Sequence, residues 1–233
     1  MVQEAGTLGR KSRVNIPFTA EQFYGVFAAY NTGVWPMQFP LLALGVLAVV
    51  LLVRQSIYSS VGISAILTVL WVWQALAYHL AFFTVINPLA YVFAAVFMAG
   101  AAVFFWQGVL HRRLNFKSIP GWRMRSGWGL MIFAWFIYPA WTYLSGHRYP
   151  AFPTFGLPCP TTLLTIGLLA FLVKPYPRSA LAVPFLWCFV GSQAAFVFDI
   201  QADLGLIVAG VVGLILIMQS KNLTTSLDKT LNS

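Results

Sequence analysis

Seven apolar stretches, at roughly residues 36–53, 60–84, 88–110, 127–145, 160–173, 180–198 and 203–219, follow one another through this chain. Their recurrence constrains the fold more than any other feature. Most approach the ~20 residues an α-helix needs to cross the hydrocarbon layer of a bilayer. The breaks between them are short and polar or Pro-rich. The fifth stretch is at the low end for spanning and is expected to begin inside "YPAFPTFGLPCP". Composition points the same way: 60% of residues are hydrophobic and 8% charged, against about a quarter charged in a soluble domain. The fold class read from this is all-α, a polytopic membrane protein with seven transmembrane helices.

Charge sets an expected orientation. Arg54, Arg112, Arg113, Lys117, Arg123, Arg125, Lys174, Arg178, Lys221 and Lys229 fall on one side, and Arg10, Lys11, Arg13 and Arg148 on the other. The positive-inside rule then puts the N-terminus outside and the C-terminus in the cytoplasm. The net charge of +9 is thereby assigned to topology and to anionic lipid headgroups facing "HRRLNFKSIPGWRMR", not to nucleic acid. The opening "MVQEAGTLGRKSRVNIP" has no apolar h-region, so no cleaved signal peptide is expected. Cys159 and Cys188 are too few for a disulfide framework and leave the redox compartment open.

Ahead of the first span, "FTAEQFYGVFAAYNTGV" places Phe23, Phe27, Tyr30 and Val34 on one helical face. It reads as an interfacial amphipathic helix on the outer surface, with a half-inserted re-entrant segment as the alternative. The closing "SKNLTTSLDKTLNS" is polar and aperiodic, and reads as a disordered tail. The chain thus divides into an N-terminal tail and amphipathic helix (1–34), a transmembrane domain (35–219) and a polar tail (220–233).

"PMQFPLLALGVLA" (Pro36–Ala48) and "PCPTTLLTIGLLA" (Pro158–Ala170) align without gaps and share Pro36/Pro158 and Gly45/Gly167. "LWVWQ" (Leu70–Gln74) and "LWCFV" (Leu186–Val190) add a second trace of likeness. Both members of each pair run in the same direction. The arrangement read from this is 3+1+3: parallel repeat units at about 36–110 and 158–219, joined by a linker helix at 127–145 and related by an axis along the membrane normal. Chance likeness of Leu-rich spans entered through proline is the alternative.

No Asp, Glu, Lys or Arg lies near the middle of a span, so neither a carboxylate proton relay nor a retinal Schiff base is visible. The midplane groups are Trp71, Trp73, Gln74, Trp187, Cys188, Ser192 and Gln193. Trp71, Trp73, Gln74, Trp187, Ser192 and Gln193 are read as substrate-binding residues, since Gln and Ser hydrogen-bond a neutral solute and Trp stacks on one. They satisfy one another between helices in the plainer reading. At the outer face, His79, His147, Cys159, Asp199 and Asp203 are ligand types for a zinc-like divalent metal. No metal motif or HExxH matches their spacing, and Asp199 and Asp203 suit helix capping equally. Gly205, Ala209 and Gly213 form a small-xxx-small seam for close helix approach.

The pieces "FAAYNTGVWPMQ", "LLALGVLAVVLLVR", "AYHLAFFTVINP" and "YPAFPTFGLPCPTTLLTIGLL" resemble an uncharacterised family of bacterial multi-span membrane proteins, over most of residues 18–219. The resemblance implies an inner (plasma) membrane location and no particular activity. In architecture alone, the 3+1+3 layout is similar to that of seven-helix transporters. The leading functional expectation is passage of a small neutral or polar solute between the two units, without enzyme chemistry. A metal-dependent membrane hydrolase or metal-binding protein built on the outer cluster is the alternative, and a soft-metal carrier using Cys159 and Cys188 a third. The expected partners are the bilayer and a small solute, with no nucleic acid and with a homo-oligomer left open.

Overall fold

The computed structural model describes residues 17–220. Except for Ser220, the expected C-terminal tail lies outside the described residues, as do the basic residues Arg10, Lys11, Arg13, Lys221 and Lys229. Among those residues the chain is all-α, with eight helices and no strand. They are α1 (Ala20–Gly33), α2 (Gln38–Arg54), α3 (Ser59–Val85), α4 (Ala90–Leu110), α5 (residues 122–144), α6 (Pro158–Leu169), α7 (Ser179–Val197) and α8 (Gln201–Gln219).

Each of the seven apolar stretches is helical, but not all are alike in length. Helices α3, α4, α7 and α8 are long and apolar enough to cross a membrane. The pair α1 and α2, bent by 89°, brings the number to five if counted as one broken span. Helix α6 has 12 residues, which at 1.5 Å per residue is only about 18 Å. It starts with Pro158, where a missing N–H costs nothing, and "KPYPR" after it prevents continuation. Helix α5 carries Arg123 and Arg125 in its first turn.

Outward-facing side chains on the long helices are mostly apolar. On α8, Leu204, Ile207, Val208, Val211, Leu214 and Met218 are exposed along one stripe, a surface that suits lipid rather than water. The set of apolar helices is compatible with a membrane protein.

The short helix is the axis of the bundle. Every residue of α6 except Cys159 is buried, because α5, α7 and α8 pack around it and Trp71 of α3 donates to Thr165 Oγ1 at 3.1 Å. A helix apolar all round is stable only when enclosed in this way or by lipid. Helix α2 packs on α3 and leaves Val46, Leu47, Val50 and Val53 exposed. The two similar stretches, Pro36–Ala48 and Pro158–Ala170, therefore sit in unlike surroundings.

At one end, α1 closes the bundle. Thr19 and Gln22 form a reciprocal capping box that starts the helix, as the T-x-x-Q spacing allows. The apolar face expected at an interface includes Phe23, Phe27 and Tyr30 as foreseen, joined by Val26 and Asn31. That face rests on protein, against Tyr78, Phe83 and Phe198, rather than lying open for lipid. At the far end, two connections are stitched together: Lys117 N–H donates to Phe171 O at 2.9 Å and Val173 N–H to Asn115 O at 2.8 Å. The α8 seam is real in packing terms: Ala209 is fully buried, a side chain at Gly205 would meet the Phe133 ring, and one at Gly213 would meet Ile166.

Candidate functional site

Aromatic rings from α1 and from the ends of its neighbours line an open-sided cavity of about 500 Å³. Phe23 stacks on Phe198 at 4.4 Å and tilts against Phe27 at 4.8 Å, and Tyr78 stacks on Phe83 at 5.6 Å. Phe93 and Trp187 complete the wall, while Tyr138, Cys159 and Asp203 lie in the lining deeper in the bundle. Two wide π-helical turns adjoin these positions: Gln74–Leu80 contains Tyr78, and Phe133–Ile137 ends directly before Tyr138. Such turns re-aim side chains and recur at functional sites.

Asp203 is the one carboxylate among the described lining residues, and it is 1% exposed. Tyr138 donates its O–H to Oδ1 at 2.7 Å, and the Cys159 thiol lies beside the same carboxylate. The Trp187 N–H is buried beside the Cys159 sulfur and has no oxygen or nitrogen acceptor among the described residues. Among the described residues no Lys or Arg contributes to the lining. The side chain of Asp203 makes no capping bond to α8, so the capping expectation gives way to an inward-facing carboxylate. Asp199 sits at φ 56°, outside helical backbone, and is exposed; the two acids are not one turn apart on a helix.

The expected substrate-binding residues divide. Trp187 and Gln193 line the cavity, whereas Trp71, Trp73, Gln74 and Ser192 do not. Trp71 and Trp187 do share a neighbour: Phe97 stacks on Trp71 at 4.6 Å and meets Trp187 edge-on at 4.7 Å. That ring fills the space between them. Trp73 donates to Tyr30 Oη at 2.7 Å, tying α3 to α1. Gln74 is buried, with its amide donating to Leu70 O of its own helix at 2.9 Å. Ser192 donates to Phe189 O at 3.0 Å, and the exposed Gln193 amide reaches the same carbonyl at 3.3 Å.

Of the five candidate metal ligands, only Cys159 and Asp203 are brought together in the lining. His79 is buried among rings, 4.7 Å from Phe97 and 5.3 Å from Trp187, and both its nitrogens lack partners among the described residues. His147 stacks on Tyr24 at 4.4 Å. Among the described residues no three His, Cys, Asp or Glu side chains are placed to hold one ion.

Sequence reasoning missed Tyr138, the aromatic wall and Asn31. Asn31 is fully buried and fastens the 150–154 segment beside the cavity to α1. Its amide donates to Pro150 O at 2.7 Å and Phe152 O at 2.8 Å, and Thr154 donates to its Oδ1 at 2.6 Å. The sequence signal was present in "YNTG", where an Asn sits on the apolar face of an amphipathic helix. A search of curated proteins and a search of solved structures each found no match. A family model described as "Family of unknown function (DUF6064)" matches residues 20–229, and the chain belongs to that family.

Proposed function

We propose that this chain is an integral membrane protein that takes up a small, mainly apolar molecule in the aromatic cavity beneath α1. The observation that carries the reading is the cavity itself. About 500 Å³ lies within the range of small-molecule sites, and an apolar wall with a few converging polar groups is their usual make-up. In this reading α2–α8 form the membrane domain, with α6 held inside it and α1 as the outer cap. The units at 36–110 and 158–219 flank the linker helix, and a passing solute starts from this cavity. Phe97 and its neighbours fill the bundle beyond, so passage requires them to move.

The orientation follows from charge. Of the nine described Lys and Arg residues, only Arg148 lies towards the α1 end, while the three described acids, Glu21, Asp199 and Asp203, all do. The α1 end therefore faces outward in this reading and the far end the cytoplasm. A reporter active only in the cytoplasm is expected to give signal when fused to Ser233 and none when inserted in the 146–157 loop. The opposite pattern overturns the orientation.

The cavity is tested with a neutral aromatic hydrocarbon, 4-neopentylbiphenyl, added to the protein in nanodiscs. It is expected to raise the thermal unfolding midpoint saturably. Ala194 lines the cavity and is buried, so Ala194→Trp occupies the space and should abolish that shift while leaving the helix content intact. A shift of equal size in both proteins removes the cavity as the site.

A further inference from the structure

Resting on that reading, we infer that the cavity is built for a hydrophobic organic cation, an amine or quaternary ammonium whose charge lies against Asp203. A carboxylate withdrawn from water is costly unless it is paired or takes up a proton, and Asp203 is 1% exposed. Its described neighbours supply hydrogen bonds but no charge: Tyr138 donates at 2.7 Å, the Cys159 thiol lies alongside, and among the described residues no Lys or Arg is in the lining. A cationic ligand is a partner that would keep this carboxylate ionised.

The wall decides which cation fits. Phe23, Phe83, Phe93 and Trp187 in the lining present π-systems that attract a weakly hydrated organic cation. A hydrated calcium or magnesium ion demands six or more oxygen ligands, and this lining is mostly ring carbon. An anion would meet Asp203 directly. A neutral hydrocarbon fills the volume but leaves the carboxylate unpaired. Among the described residues the Trp187 N–H has only the weakly accepting Cys159 sulfur beside it, so it suits a hydroxyl or ether oxygen elsewhere on the ligand.

The test compares 4-biphenylylmethyl-trimethylammonium with its neutral isostere, 4-neopentylbiphenyl, in nanodiscs holding the full chain. Each probe is measured on the wild type and on Asp203→Asn, so that partition into lipid cancels within each comparison. Asparagine keeps the shape and an acceptor for Tyr138. The ammonium probe is expected to lose at least tenfold in affinity in the variant, and the hydrocarbon to change less than twofold. Should the variant not fold, competition on the wild type decides: the ammonium probe must displace the hydrocarbon saturably. Binding of the hydrocarbon without binding of the cation, or equal cation affinity in both proteins, overturns the inference and leaves the cavity standing. If neither probe binds, the cavity reading fails and this inference with it.

Discussion

Asn31→Leu is expected to destabilise the folded protein by about 3 kcal/mol, since removing one partner of a buried hydrogen bond costs roughly 1–3 kcal/mol for each group left alone. Three groups are left alone here. The carbonyls of Pro150 and Phe152 lose the amide that now binds them at 2.7 and 2.8 Å, and the Thr154 hydroxyl loses its acceptor at 2.6 Å. Leucine is close in size, so the effect reports hydrogen bonding rather than a void. Thr154→Val removes only one of these bonds and is expected to cost about 1 kcal/mol. Thermal unfolding in detergent gives the order, and limited proteolysis of the 146–157 loop should accelerate in the Asn31 variant. Equal stability of Asn31→Leu and the wild type would show that the loop is held by other contacts.

What could be read from the sequence was what local physics determines. The seven apolar stretches form helices because length and apolarity suffice for that. Thr19 with Gln22 starts α1 through bonds that span three residues, and Pro158 starts α6 because its missing N–H is not needed there. What surrounds an apolar helix was not readable, because lipid and protein reward the same side chains. Leu47 and Leu169 hold the same position in the two similar stretches; the first is 46% exposed and the second fully buried. Between Trp71 and Trp187, two of the expected substrate-binding residues, lies Phe97, an unremarkable Phe in an apolar run. Asp203 illustrates the same limit at the cavity. An acid at a helix start is read as a cap, yet here its partner is Tyr138, 65 positions away in sequence. That choice depends on how α5 meets α8, which no local pattern encodes.

The closest backbone approach of this kind gives the second large effect: Gly127→Leu is expected to cost 3 kcal/mol or more, at the upper end of the roughly 1–3 kcal/mol typical of overpacking. Gly127 of α5 and Gly167 of α6 face each other. A Cβ on Gly127 would stand 2.7 Å from the Gly167 carbonyl oxygen, and one on Gly167 would stand 3.0 Å from the Gly127 oxygen. A flexible side chain can turn aside from such a contact, but a helical carbonyl cannot without moving its helix. Helix α6 has nowhere to move, since α7 and α8 enclose its other faces. Gly129, two residues along α5, has nothing within 4 Å of its Cβ direction. Gly129→Ala is therefore expected to raise stability by about 0.5–1 kcal/mol, the gain from replacing a helical glycine where space allows. Unfolding midpoints and monodispersity in detergent compare the two sites directly. If leucine is tolerated equally well at 127 and 129, then α5 and α6 are not in close backbone contact, and α6 is not the buried axis that fixes the Cys159 end of the cavity.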